Sequence, residues 1–175
     1  MDKITSIEQY IKRINEIALN NKNKVILYRG EPKDYKDTAC IPNIFRNNYV
    51  DINPFFEKNI LDEMTANHIS VGNNYLEKAI NAQHDGFPSR FLDVSYNCLV
   101  ALHFAVTPHY KKNIDYHDKE DGKVYVYLFN DFFCPTGDGI VQNYDAIIKN
   151  NVQWYTNNPL FKNNYKVVDH IKINE

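Results

Sequence analysis

The hydrophobic pattern of this chain switches from helical to extended spacing and back, and that switching limits its folds more than any other feature. Ile7, Tyr10, Ile11, Ile14, Ile17 and Ala18 recur at helical spacing, beginning in Ser6-Ile7-Glu8-Gln9, a capping-box pattern. The spacing predicts a first helix ending near Asn20. Val25-Ile26-Leu27-Tyr28 is a β-branched and aromatic run between a polar turn and Gly30. It predicts a buried strand with Arg29-Gly30 at its C-terminal end. Asn53-Pro54 is a helix start, with Phe55, Phe56, Ile60, Leu61 and Met64 as the apolar face. A third helix is predicted from Tyr75 to His84, stopped by Gly86-Phe87-Pro88. Arg90 to Val94 reads as a short strand. Asn97 then caps an apolar helix, Cys98 to Val106, whose composition predicts burial almost all round. Residues 107–121 read as an exposed, mobile loop, and Lys123 to Phe129 as a strand. Ile147 and Ile148 suit a short helix, and Val167-Val168 a last strand. The pattern predicts an α+β fold: a single domain over residues 1–175, with a small mixed or antiparallel sheet and an N-terminal helical part.

Composition narrows the function classes. A formal net charge of -2 and the lack of a basic stripe argue against a nucleic-acid partner without excluding one. No apolar run approaches the roughly 18 residues needed to span a bilayer. The N-terminal Met1-Asp2-Lys3 is unlike a signal peptide, because charge interrupts it at once. Cys40, Cys98 and Cys134 lie far apart with no Cys-x-x-Cys pair, which suits reduced thiols in a cytoplasm. The richness in Asn, Lys and Ile points to a low-GC bacterium or its phage. No His shows ligand spacing to a carboxylate or Cys, so no metal site is predicted.

Two polar islands stand out from the apolar pattern. In the first, Arg29 follows a buried run, so its guanidinium is anchored on a rigid element and suits bidentate capture of a phosphate or carboxylate. Gly30 beside it lets a ligand or another backbone approach closely. The structural alternative is that Arg29 pairs with an internal carboxylate and Gly30 makes a turn. The second island runs from Ala82 to Asn97 and gathers Gln83, His84, Arg90, Asp93 and Ser95 around one sharp turn. Arg90 and Asp93 lie on opposite faces of an ideal strand, so each needs a partner elsewhere. Arg29, His84, Arg90 and Asp93 are expected to share one cleft.

These islands resemble the FRG domain family, which carries Phe/Tyr-Arg-Gly near its start, here Tyr28-Arg29-Gly30, followed by Ile41-Pro42 and Arg46. A longer signature matches Ala82-Gln83-His84-Asp85-Gly86-Phe87-Pro88-Ser89-Arg90-Phe91-Leu92-Asp93-Val94-Ser95 and then Ala101-Leu102-His103-Phe104-Ala105. The resemblance spans about residues 25–130. Val94 stands where the family has Trp, and the family's closing Gln-x-Gly-x-Phe stretch is missing before Glu175, as in a fragment or a diverged tail. A fainter likeness, to arginine-type ADP-ribosyltransferases, rests on the order Tyr28-Arg29-Gly30, Asp93-Val94-Ser95, Val100-Ala101-Leu102-His103-Phe104. It implies that Arg29 would hold the phosphates of NAD and Ser95 would position the strand and the nicotinamide ribose. The catalytic Glu of those enzymes has no recognisable counterpart, and Asp145, Asp169 and Glu175 are candidates only as carboxylates. Two readings follow. One is a non-catalytic recognition module binding a small phosphate-bearing ligand or a protein partner through Arg29, Gly30, Gln83, Arg90 and Ser95. The other is an NAD-dependent transferase-like enzyme or effector, with His84 and Asp93 as the catalytic candidates.

Overall fold

A computed structural model describes residues 3–46, 49, 53–107, 110–111, 114–115, 120–130, 137–150 and 167–173, with 110–111, 114–115, 150 and 167–173 described by backbone alone. In chain order the elements are α1 (Ile7–Asn20), β1 (Val25–Glu31), the single turn α2 (Asn43–Arg46), α3 (Phe56–Ala66), α4 (Tyr75–His84) and α5 (Cys98–Val106). The short strands β2 (Tyr110–Lys111) and β3 (Ile114–Asp115) follow, then β4 (Gly122–Phe129), α6 (Asp138–Asn150) and β5 (Val167–Ile173). The fold is α+β. The chain falls into two compact units, one of residues 1–39, 93–132 and 160–175, the other of residues 40–92 and 133–159.

The first unit is built on an antiparallel sheet in the order β1-β4-β5, with β2 and β3 paired separately. Beyond β1, Ser95 makes a two-bond bridge to Tyr28, with N–H···O distances of 2.7 and 2.8 Å, so β1 is bonded on both sides. One face of β1 and β4 supplies Tyr28, Val124 and Val126 to a core completed by Tyr10, Ile14 and Ile17 of α1 and Ala101 and Ala105 of α5. Helix α1 begins as its sequence predicts, Ser6 Oγ accepting from Gln9 N at 3.2 Å. The Gln9 side chain reaches back one residue further than a capping box requires, to Thr5 N at 2.9 Å.

Two glycines set how closely α5 lies on the sheet. A Cβ on Gly30 would sit 2.8 Å from both the Ala101 carbonyl carbon and the Ala105 nitrogen, and one on Gly122 would sit 2.8 Å from the Ala105 carbonyl carbon. Side-chain-free positions on β1 and β4 therefore receive the α5 backbone directly. This contact corrects the expectation that α5 is buried almost all round. Only Ala101 and Ala105 are buried, whereas Leu99, Val100 and Phe104 are exposed. An apolar helix is enclosed only when neighbours pack on every side, and α5 is seated through its small residues on one side.

The second unit packs α3, α4 and α6 around Leu61, Met64, Leu76, Ala79, Ala82, Tyr144 and Ile148. Asn74 caps α4 by accepting from Glu77 N at 2.9 Å. Asn53 accepts from Phe55 N at 3.0 Å and makes a turn first, so α3 starts at Phe56 rather than at Pro54.

Two strand expectations change. Residues 90–94 form no strand, and only Ser95 pairs with β1. Arg90 and Phe91 spend their side chains in the helical unit, and the chain re-enters the sheet unit only at Asp93. Strand β1 runs on through Glu31, which places Arg29 and Gly30 inside the strand rather than at its end. The predicted 107–121 loop contains the β2–β3 pair, and most of its other residues lie outside the described residues.

Candidate functional site

The two-residue period of β1 puts Leu27, Arg29 and Glu31 on the face opposite Tyr28 and Gly30. Register sets Arg29 against Tyr125 and Glu31 against Lys123 on β4. Arg29 Nε donates to Glu31 Oε1 at 3.1 Å, and Nη1 donates to the Asp93 main-chain carbonyl at 2.8 Å. Nη2 makes no hydrogen bond among the described residues. The Arg29 side chain is 19% exposed, that of Glu31 only 2%. The guanidinium is thus clamped at two points on a rigid strand, with one nitrogen uncommitted. Glu31 offsets much of its charge. Lys123, across from Glu31, pairs with Asp34.

Asp93 meets Arg29 through its main chain, and its residue as a whole is exposed. Ser95 holds Tyr28 through its backbone, while its Oγ accepts from Asn97 N at 3.0 Å and shapes the turn into α5. Asn97 in turn caps α5 by accepting from Leu99 N at 2.9 Å. Gly30 touches the α5 backbone, so the close approach it permits is made by another part of the chain.

The other signature residues belong to the helical unit. His84 is the last residue of α4 and is exposed. Gly86 takes φ +82°, a left-handed conformation suited to glycine, and Phe87 N returns to Ala82 O at 3.0 Å to close the helix. Gln83 Oε1 accepts from Ser89 Oγ at 3.1 Å. Arg90 is largely enclosed, its side chain 9% exposed: its Nε donates to Glu57 Oε2 at 2.5 Å, and its guanidinium lies 5.9 Å from the Phe45 ring centre. Tyr144 Oη donates to the other Glu57 oxygen at 2.9 Å. Burial pushes the Tyr144 hydroxyl far above its ordinary range, and the Glu57 charge adds to that. Burial likewise raises Tyr10, whose hydroxyl donates to the Cys98 carbonyl at 2.6 Å.

The structure therefore brings Arg29 together with Asp93 and Ser95 in one unit, and Gln83 together with Ser89 in the other, where Arg90 also sits. Sequence reasoning missed Glu31, Glu57 and Tyr144. Glu31 carried a usable signal, since it lies two residues from Arg29 on the same strand face. Glu57 and Tyr144 carried none, being 33 and 54 positions from Arg90. Of the carboxylates considered as a catalytic group, Asp145 accepts from Tyr75 N at 3.1 Å in the helical unit, the Asp169 backbone is in β5, and Glu175 lies outside the described residues. Among the described residues no group of His, Cys, Asp and Glu is arranged to hold a metal ion. Nor is any helix among them long and apolar enough to cross a membrane.

The class these features define is an α+β protein with an arginine fixed inside the first strand of its sheet. The model of the FRG domain family matches residues 24–114, more than half of the chain, and the protein belongs to that family. No curated protein and no solved structure matches the chain.

Proposed function

We propose that this FRG domain is a non-catalytic recognition module in which Arg29 binds a phosphate-bearing small molecule. One observation carries the reading: Arg29 is held by Glu31 and the Asp93 carbonyl, while among the described residues Nη2 stays uncommitted and the side chain is partly exposed. A guanidinium fixed before binding loses little entropy when it meets a phosphate. Because Glu31 offsets its charge, affinity comes from directed hydrogen bonds rather than from long-range attraction. The cysteine usage supports a cytoplasmic location.

Calorimetry with ADP-ribose, NAD and inorganic phosphate tests the reading on wild type, Arg29→Lys and Arg29→Ala/Glu31→Gln. The double variant avoids leaving the buried Glu31 carboxylate without its Arg29 partner. Both variants should bind at least about 30-fold more weakly, the equivalent of roughly 2 kcal/mol. Equal binding by all three folded proteins, or no binding by wild type, removes the proposal.

A second reading, an NAD-dependent ADP-ribosyltransferase-like enzyme, is favoured by the Tyr28–Ser95 bridge, which sets Ser95 beside the strand carrying Arg29 and just ahead of α5. That order is the one the fainter likeness implies. Release of nicotinamide from NAD by wild type, lost in Asp93→Asn or His84→Ala, would establish it; absence of NAD turnover by wild type eliminates it.

A further inference from the structure

Four charged residues alternate in sign from β1 across to β4 and back to the segment that follows β1. Arg29 and Glu31 share one face of β1, and the antiparallel register puts Lys123 opposite Glu31. Arg29 lies opposite Tyr125, so Lys123 is its diagonal neighbour, a separation of roughly 7–8 Å between such positions. Asp34 follows β1 by three residues and pairs with the Lys123 ammonium. The two cations are held alike, since the Lys123 side chain is 11% exposed and that of Arg29 19%. Their carboxylates differ. Glu31 belongs to the strand and is 2% exposed, whereas Asp34 is 39% exposed and lies between β1 and the short helical turn Lys36–Thr38. A largely enclosed ammonium needs an anion beside it. A carboxylate already in contact with water gives up such a pairing at little cost.

We propose that Lys123 is the second cation of the Arg29 site, that the site takes a ligand with two adjacent anionic groups, a diphosphate, and that Asp34 occupies Lys123 until that ligand displaces it. The inference rests on the reading that Arg29 binds phosphate, and it adds the ligand class and a competitor built into the chain. Charge carries the argument. With Asp34 in place, two cations face two carboxylates and cancel, and a lone phosphate on Arg29 meets the Glu31 carboxylate beside it. With Asp34 swung out, two cations face Glu31 alone, and the site attracts anions. A diphosphate gains from this because one phosphate meets the Arg29 fork while the other replaces Asp34 on Lys123. Both cations stand on paired strands, so little ordering is left to be done on binding. Asp34 also anchors its own turn, its Oδ1 accepting from Lys36 N at 3.0 Å. Asparagine keeps that acceptor, so Asp34→Asn removes the charge and leaves the turn.

Calorimetry with inorganic pyrophosphate and inorganic phosphate tests the proposal on wild type, Asp34→Asn, Lys123→Met and the double variant, with Arg29→Lys reporting on Arg29 separately. Asp34→Asn should bind pyrophosphate at least about tenfold more tightly than wild type, with a smaller gain for phosphate. Lys123→Met should bind pyrophosphate at least about tenfold more weakly, and in that background Asp34→Asn should change nothing. Melting checks that each variant folds. If Lys123→Met does not, the preference of Asp34→Asn for pyrophosphate over phosphate, compared with that of wild type, decides the question. An Asp34→Asn protein that binds pyrophosphate as wild type does overturns the proposal. So does an equal gain for both probes, or a gain that persists without Lys123, since the effect would then be one of overall charge. Phosphate binding weakened by Arg29→Lys but untouched by Asp34→Asn leaves the reading of Arg29 standing and removes this inference alone. No binding of either probe by wild type and Asp34→Asn removes both.

Discussion

Replacing Gly30 with alanine isolates the contact that positions the family's arginine strand. The added Cβ would sit 2.8 Å from the Ala101 carbonyl carbon and from the Ala105 nitrogen. Ordinary carbon contacts are about 3.5–4.0 Å, and the Ala101 carbonyl oxygen would lie nearer still, so α5 must withdraw by at least about 1 Å. Both obstacles are backbone atoms of a hydrogen-bonded helix, and no rotamer change can relieve them. Withdrawal opens a gap along Ala101, Ala105 and Tyr28, and a gap of that size forfeits about a quarter to a half of each contact. Set against this, alanine in a strand gains roughly 0.4–1 kcal/mol through the unfolded chain. The net expectation is a loss of about 2–4 kcal/mol, or roughly 10 °C in melting temperature for a chain of this size. Urea unfolding of Gly30→Ala, Gly122→Ala and the double variant measures it. Gly122 meets Ala105 in the same way, so once α5 has moved for one alanine the second costs less. The double variant should fall short of additivity by at least about 0.5 kcal/mol. A folded Gly30→Ala within about 0.5 kcal/mol of wild type would refute the argument, because the helix would then be free to move without loss.

Two further outcomes follow from the buried polar groups. Arg90→Ala leaves Glu57 as an unpaired buried charge and should cost about 3–5 kcal/mol, whereas Arg90→Met/Glu57→Leu/Tyr144→Phe removes all three partners and should recover most of that loss; denaturant titration reads both. Tyr10 and Tyr144 resist ionisation in the folded state, while unfolded tyrosine ionises near pH 10. Their contribution is therefore fully present below about pH 10 and falls above it by about 1.4 kcal/mol per pH unit per tyrosine, until the raised folded value is reached. Tyr144→Phe should show a shallower alkaline loss of stability than wild type, and an unchanged slope would contradict the burial assigned to Tyr144.

Much of the fold was legible in the sequence because its signals are local. Ser6 and Asn97 cap helices where their side chains can reach backbone donors two or three residues on, and the Ile7–Ala18 periodicity needs no partner to be read. The Lys123–Phe129 run names a strand for the same reason. The family signature was also legible, since Tyr28-Arg29-Gly30 and the stretch from Ala82 to Ser95 are contiguous.

Tertiary structure decided which atoms those residues meet. Sequence placed Arg90 in a signature but carried no trace of Glu57 and Tyr144, which come from separate helices. It offered Arg29 two fates, and packing assigned both an internal carboxylate, Glu31, and a nitrogen uncommitted among the described residues. Composition alone said α5 should be enclosed, because periodicity cannot tell how many sides of an apolar helix find neighbours. Gly30 and Gly122 answered that, drawing one side of α5 onto the sheet by removing every atom that would have kept it away. Local chemistry determines which backbone conformation a segment prefers, and only long-range contact determines what each face of it touches.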